Sequence, residues 1–396
     1  MLQKNSWLLP EGIEQALPEE AAHLEVLRRT LLDRFACWGY QLVIPPFVDF
    51  LDSLLIASGQ DLDLQTFKVT DQISGETLGI RADMTPQVAR MDAHNINHEW
   101  PTRLCYTGTI LHTHGNALEK TRSPMQIGAE LYGHAGLESD LEIIRLMLEM
   151  LAVAGIQDVH LDLGHVGIYR GLSQQAGLNA DQEIALFDVM QRKARPELSE
   201  LLEQWAIDEQ IKHMLLRLPE LNGDAGILSL ARPVFAQADD SVKQALTVLE
   251  ELANRLQKYF PALQLGIDLA ELRGYHYHTG VVFAAFTPSV GREIARGGRY
   301  DNIGAAFGRA RPATGFSADL KQLANLVKTK DAELKHEIIF APYADDSDLA
   351  EAIRDLRAQG LAVIQQLPGQ TGDAGQMGCT LILVQESQCW VIKALN

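Results

Sequence analysis

The thirteen residues Glu271 to Phe283, ELRGYHYHTGVVF, set a guanidinium (Arg273), two phenols, two imidazoles and two glycines in one run that ends in β-branched and aromatic residues. Read as an extended ribbon, the run places Tyr275, Tyr277 and Thr279 on one face and His276, His278 and Gly280 on the other. Such a ribbon offers hydrogen-bonding rings to a small ligand; an ordinary polar edge strand would read the same way. Two further constellations have the same character. Asp83 and Thr85 precede Pro86, where a hydroxyl before a proline marks a helix start, so a carboxylate and a hydroxyl stand at a strand-to-helix junction. There they can hold an ammonium group, or act simply as caps. In QIGAELYG, Gln126, Gly128, Glu130 and Tyr132 share one strand face, an amide and a carboxylate with a glycine between them. Two His-x-His pairs, His112 with His114 and His276 with His278, have a spacing that suits zinc. Neither is accompanied by cysteine, by Glu-x-x-His or by a supporting shell, and no metal is expected.

The elements that must position these residues are legible from periodicity. Residues 19–39 repeat Leu24, Leu27, Leu31 and Phe35 at helical spacing, with Gly39 as the stop. A strand over 40–44 follows, closed by Pro45 and Pro46. A polar hairpin over 66–80 leads to a helix from Thr85 to about His94. Strands are expected over 103–114 and 126–133, a strongly apolar helix over 138–154 ended by Gly155, and a strand at VHLDLGHV. From 181 to 258 the composition turns to Leu, Ala, Glu and Gln with few β-branched residues, which predicts a helical insertion between two parts of a sheet domain. Strand character resumes over 263–272. Beyond 330, strands at 337–341, 361–367, 379–384 and 389–392 and a helix at 346–359 predict a small α/β unit, with PGQTGDAGQMG as a glycine-rich loop.

Bulk properties narrow the function. The 396 residues are enough for two or three domains, and 46% hydrophobic with 22% charged residues fits a soluble globular chain. No apolar run approaches the ~20 residues that span a bilayer, and the first residues lack the apolar region of a signal peptide, so a cytoplasmic location without membrane contact is expected. Four scattered cysteines predict reduced thiols. With 34 basic against 52 acidic residues the net charge is −18, and no basic stripe is present to wrap a polyanion.

Five separated motifs, in order, resemble histidyl-tRNA synthetase across roughly residues 8–325. GYQLVIPPF resembles the first class II motif, which builds a dimer interface. RADMTPQVAR resembles the segment that holds the α-amino group of histidine. YTGTILHTHG with RSPMQIGAELYG resembles the second motif, RGYHYHTGVVF the histidine-specific signature, and GGRYDNIGAAFG with ATGFSADLKQL the glycine loop and third motif. The resemblance implies an α+β, class II synthetase-like core over 1–325, an antiparallel sheet flanked by helices with the insertion at 181–258, followed by the small domain at 330–396. It implies a histidine site of Asp83, Thr85, Gln126, Glu130, Arg273, Tyr277 and His278. In that site the ammonium lies near Asp83, Gln126 and Glu130, the carboxylate meets Gln126 or Arg273, and the imidazole faces Tyr277.

The departures carry as much information. The motif-two arginine that grips the ATP α-phosphate falls on His112, and the glutamate two residues on falls on His114. The motif-three arginine falls on Gln322, with Lys321 and Asp319 replacing a glutamate and a glycine. A neutral amide cannot form the two-oxygen fork of arginine on phosphate. The residues from 330 on are also too few for an anticodon-binding domain. This pattern resembles the family of ATP phosphoribosyltransferase regulatory subunits, synthetase paralogues without catalysis of their own. That resemblance implies no cofactor, a self-dimer, a hetero-octamer with the short-form catalytic subunit, L-histidine as effector, no tRNA, and a role in the first step of histidine biosynthesis. An active histidyl-tRNA synthetase is the alternative.

Overall fold

The structure is a computed structural model that describes residues 8–55, 59–115, 121–275, 277–327 and 337–395. The chain divides into two compact units, Met1–Lys328 and Thr329–Asn396.

The first unit is built on a nine-stranded sheet. Its strands are β1 Gln41–Leu42, β2 Thr102–Thr109, β3 Met125–Tyr132, β4 His160–His165, β5 Asn222–Asp224, β6 Gln264–Asp268, β7 Val281–Thr287, β8 Val290–Arg299 and β9 Ala313–Asp319. Their spatial order is β1-β2-β3-β9-β8-β7-β4-β6-β5. The pairs β1/β2 and β4/β6 are parallel, and the remaining ladders are antiparallel. The expected class II-like sheet is therefore present, mixed at its two ends and antiparallel through its centre.

Strict alternation along β3 separates two environments. Ile127, Ala129 and Leu131 join the main apolar core under the helices Pro18–Cys37, Leu137–Val153 and Asp240–Tyr259. In the middle helix Ile143, Ile144, Met147 and Leu151 are fully buried, the i, i+1, i+4, i+8 stripe of a helix lying on a sheet. The helix Pro18–Cys37 stops as predicted. Gly39 adopts φ 81°, its N–H bonds Ala36 O, and the Tyr40 N–H reaches back to Phe35 O, which closes the last carbonyls. The other face of β3 carries Gln126, Gly128, Glu130 and Tyr132, and this face holds the site.

Several expectations are corrected. The strand after Pro18–Cys37 shrinks to two residues. The predicted strand 103–114 ends at Thr109, so His112 and His114 share no strand face. His112 Nε2 lies 3.0 Å from Ala82 O, and His114 Nδ1 lies 2.7 Å from Thr113 Oγ1. Thr85 is the first residue of the helix Thr85–Arg90 rather than its cap, and its hydroxyl caps nothing. The helix continues as a wider π turn through Met91–Ile96. The insertion is not purely helical, because β5 lies inside it and extends the sheet.

In the second unit a four-stranded sheet runs in the order Ala362–Gln365, Ile338–Ala341, Leu381–Glu386, Cys389–Ala394. The last two strands form a hairpin whose turn residues Ser387 and Gln388 both have positive φ, the twist that two-residue hairpins favour. Helix Ser347–Ala358 buries Leu349 and Ile353 against this sheet.

Candidate functional site

A cavity of about 330 Å³ opens on the open face of the central sheet, lined by Asp83, Thr85, Glu130, Arg273, Tyr277 and His278 among others. Its size lies at the lower end of small-ligand sites, roughly 300–1,000 Å³.

The floor depends on glycine. A Cβ on Gly128 would stand 2.6 Å from the Tyr106 hydroxyl, and one on Gly298 would stand 2.8 Å from His278 Nδ1. A Cβ on Gly315, which pairs with Glu130 across β3 and β9, would overlap the Glu130 carboxylate. Three adjacent strands thus leave room for rings and a carboxylate to lie across the sheet. Gly315→Ala is expected to displace Glu130 and to abolish ligand binding in a protein that still folds. Titration calorimetry alongside circular dichroism checks this, and unchanged binding contradicts it.

Glu130 is 1% exposed. The Tyr106 hydroxyl donates to its Oε1 at 2.8 Å, and the Tyr300 hydroxyl donates to its Oε2. Burial pushes the carboxyl up to about 8, against the pull of the two phenols; the nearby Asp83 carboxylate adds to the rise. Asp83 is held differently. Its Oδ1 accepts from the Thr85 N–H at 3.0 Å, the Thr85 hydroxyl at 3.1 Å and Gln126 Nε2 at 2.8 Å. The Thr85 hydroxyl also touches the Tyr106 hydroxyl at 3.2 Å, which links the two acidic groups through one hydroxyl contact.

Gln126 stands behind this wall. Its Oε1 accepts from the Met84 N–H at 3.0 Å while its Nε2 serves Asp83, so both ends of the amide are used and Gln126 orients Asp83.

The signature stretch is a turn, not a ribbon. Gly274 takes φ 66°, a value suited to glycine. The N–H groups of Tyr277 and His278 both bond Gly274 O at 2.8 Å, and strand β7 begins only at Val281. The turn breaks the expected alternation. Tyr275 leaves the cavity and packs edge-on against Tyr169, with its hydroxyl on Glu183. Tyr277 and His278 instead come together at the cavity with their rings edge-on at 5.2 Å, and Tyr277 stacks on Tyr300 at 4.9 Å. His276 lies outside the described residues.

The Tyr277 hydroxyl and His278 Nδ1 are buried without a hydrogen-bond partner. Burial lowers His278 to about 4, which leaves a neutral ring. Burial, with the Glu130 and Asp83 carboxylates, holds the Tyr277 phenol well above its ordinary value. Both residues line the cavity, but these two atoms are shut off from water, and His278 Nδ1 lies against the sheet at Gly298.

Arg273 is already engaged. Its Nη2 lies 2.6 Å from Glu271 Oε2, its Nε lies 3.0 Å from both Glu271 oxygens, and its Nη1 lies 3.3 Å from Glu293 Oε2.

Sequence reasoning missed Tyr106 and Tyr300, the two phenols on Glu130. Tyr106 sits in the YTG of a recognised motif, in register with Gly128 across the β2/β3 ladder, and that register was the available signal. Tyr300 follows β8 within GGRYDN and gave no local sign of its role.

The residues that the resemblance sets at the ATP-gripping positions serve the fold. Burial holds His112 below the ordinary imidazole range, so it supplies no standing positive charge. Gln322 Nε2 donates to Glu293 O at 3.3 Å, and the amine of Lys321 donates to Ser123 O at 2.7 Å. Asp319 caps the helix Leu320–Leu326 through the Lys321 N–H. Among the described residues no group of three or more His, Cys, Asp or Glu is placed to hold a metal, and no helix is long and apolar enough to cross a membrane.

Residues 12–323 match the family described as histidyl-tRNA synthetase, and residues 336–393 match the ATP phosphoribosyltransferase subunit HisZ C-terminal domain. The ATP phosphoribosyltransferase regulatory subunit of Thioalkalivibrio sulfidiphilus is 54% identical over 396 residues, all of both chains. That of Methylococcus capsulatus is 56% identical over 98% of this chain and 95% of its own.

The chain belongs to the ATP phosphoribosyltransferase regulatory subunit family.

A solved relative of this family, described as an ATP phosphoribosyltransferase regulatory subunit/histidyl-tRNA synthetase from Bacillus halodurans, superposes with a TM-score of 0.82 at 27% identity. It covers 96% of this chain and 97% of its own. A histidyl-tRNA synthetase from Nostoc shares the fold, with a TM-score of 0.74 at 18% identity over 96% of this chain and 92% of its own. This chain thus has a synthetase-like core, and its His112, Lys321 and Gln322 are bonded into the frame.

Proposed function

We propose that this chain is the histidine-sensing, non-catalytic regulatory subunit that activates a short-form ATP phosphoribosyltransferase catalytic subunit and conveys feedback inhibition by L-histidine. The observation that carries the reading is Glu130: a buried carboxyl clamped by two phenols at the floor of a small cavity that the Tyr277 and His278 rings also line.

The geometry divides the roles expected from the sequence. Asp83, less buried than Glu130, takes the ligand ammonium with Thr85 and Gln126 fixing its orientation. Glu130, deeper and nearly neutral, faces an imidazole nitrogen, and the Tyr277 hydroxyl reaches the ring. Arg273 lines the cavity and Gln126 does not, so the ligand carboxylate falls to Arg273. Activation and inhibition then reduce to a difference in free energy between assembly states, typically ~1–3 kcal/mol.

One shared proton sets the pH dependence. Free Glu130 titrates near 8, and a free imidazole near ~6.5. Between those values the two groups bring one proton to the complex, which is the number the hydrogen bond needs. Below ~6.5 binding must release a proton, and above 8 it must take one up, so affinity falls on both sides by at most about tenfold per unit. Calorimetric titrations from pH 5 to 9 are expected to show a plateau across 6.5–8. Affinity that climbs steadily toward pH 5 contradicts the assignment of Glu130 to the ring.

The synthetase reading predicts histidine-dependent exchange of pyrophosphate into ATP. Loss of one preorganised donor typically lowers such a rate ~10²–10³-fold. With both arginine positions replaced, exchange is expected at background, and ordinary synthetase rates would overturn the regulatory reading.

A further inference from the structure

The cavity carries a guanidinium whose binding edge is occupied by the protein's own acid. Arginine holds a carboxylate bidentately, as a fork. On Arg273 the Nε/Nη2 edge is filled by Glu271, with contacts of 2.6–3.0 Å, and the Arg273 backbone N–H donates to Glu271 Oε1 at 2.8 Å. Nη1 is engaged by Glu293 at 3.3 Å. Glu271 and Arg273 both line the cavity. Glu271 is the more buried of the two, with its side chain 14% exposed against 41%. Its Cβ packs where the sheet gives way at Gly164, since a Cβ on that glycine would stand 2.7 Å away.

Resting on the reading of this cavity as an amino-acid site, we propose that Glu271 is a built-in competitor for the ligand carboxylate, so that binding proceeds by exchange of one carboxylate for another on Arg273. In the free protein Glu271 occupies the fork. An incoming α-carboxylate takes the Nε/Nη2 edge, and Glu271 keeps the backbone N–H of residue 273 while losing the side-chain contacts. Exchange of like for like yields little net free energy, and it leaves a half-buried carboxylate less satisfied than before. The site therefore reads the ammonium and the ring strongly and the carboxylate weakly. The exchange sets the affinity low enough for an effector that must respond to a changing metabolite level. It also makes release of Glu271 a local signal that the site is full.

Calorimetry on the full chain with L-histidine and with histamine, which lacks the carboxylate, separates this role from simple support of Arg273. In the wild type the two ligands are expected to differ by less than about fivefold. Glu271→Gln frees the fork, so L-histidine is expected to bind about tenfold more tightly while histamine is unchanged or weaker. Glu271→Ala, which keeps the packed Cβ, should give the same widening if the glutamine variant folds poorly. Weakened or unchanged L-histidine binding in a folded variant overturns the competitor role and leaves the site reading standing. Failure of wild-type protein to bind L-histidine, alone and with the short catalytic subunit, overturns both.

Discussion

Glu130→Gln is expected to lower the affinity for L-histidine by about 10- to 100-fold, the loss that follows removal of one charge-assisted hydrogen bond in a buried site. The size of the side chain is nearly unchanged, so only the donors and acceptors differ. Glu130 accepts from two hydroxyls, Tyr106 and Tyr300. An amide offers one accepting oxygen and a permanent NH2 donor, so one phenol must turn to accept from it. The amide cannot ionise, so it cannot share a proton with the ring of the ligand. A second signature comes from linkage. The folded carboxyl titrates near 8 against an ordinary 4.5, so over that interval the unfolded state binds fewer protons than the folded one. The stability of the ligand-free protein therefore falls as pH rises from 4.5 to 8 and levels off above it. Glu130→Gln should flatten that slope while it weakens histidine binding. Urea titrations at pH 5 and pH 8 read the first effect and calorimetry reads the second. A variant that binds L-histidine as well as the wild type removes Glu130 from the site.

Asp92→Ala is expected to destabilise the larger unit by ~3–5 kcal/mol, the cost of leaving one member of a buried ion pair alone. Arg311 Nη1 contacts both Asp92 oxygens at 2.8 and 2.9 Å, and Nη2 donates to Trp100 O at 2.7 Å. Both partners are buried. Asp92 sits in the π turn that continues the helix beginning at Thr85. The pair thus ties the far end of the segment carrying Asp83 and Thr85 to the sheet beside β9. Removal of both charges by Asp92→Leu with Arg311→Met should cost less than either single change, because no orphan charge remains. Urea midpoints for the three variants decide this. A double variant no more stable than the singles would mean that the pair is a net stabiliser in its own right.

The helical elements were legible because their signals are local: the apolar stripe and Gly39 stop of the first helix, and the apolar run before Gly155. Strand β3 was legible for the same reason, with Gln126 and Glu130 on one face and Ile127 and Leu131 on the other. The signature stretch was misread at the level of conformation. Its residue types favour a strand, but Gly274 at positive φ turns the chain, and one turn redirects every side chain that follows. That is why Tyr275 lies away from the cavity while Tyr277 and His278 meet there. The roles of Gln126 and Arg273 needed three dimensions. Met84, Asp83 and Glu293 come from other segments of the chain, and although Glu271 stands only two residues before Arg273, the spacing alone does not show that its carboxylate fills the guanidinium. The same holds for Tyr300, 170 residues from the carboxylate it holds. The replaced arginines, by contrast, were visible as single letters, and the structure adds the bonds that now occupy His112, Lys321 and Gln322.

Phosphoribosyl transfer by the short catalytic subunit, with and without this chain and with and without L-histidine, decides the regulatory role. Activity is expected to depend on the chain and to be suppressed by L-histidine. With Glu130→Gln, activity is expected to be retained and suppression to need about 10- to 100-fold more L-histidine. A catalytic subunit indifferent to the chain, or inhibition by histidine that survives Glu130→Gln unchanged, would contradict it.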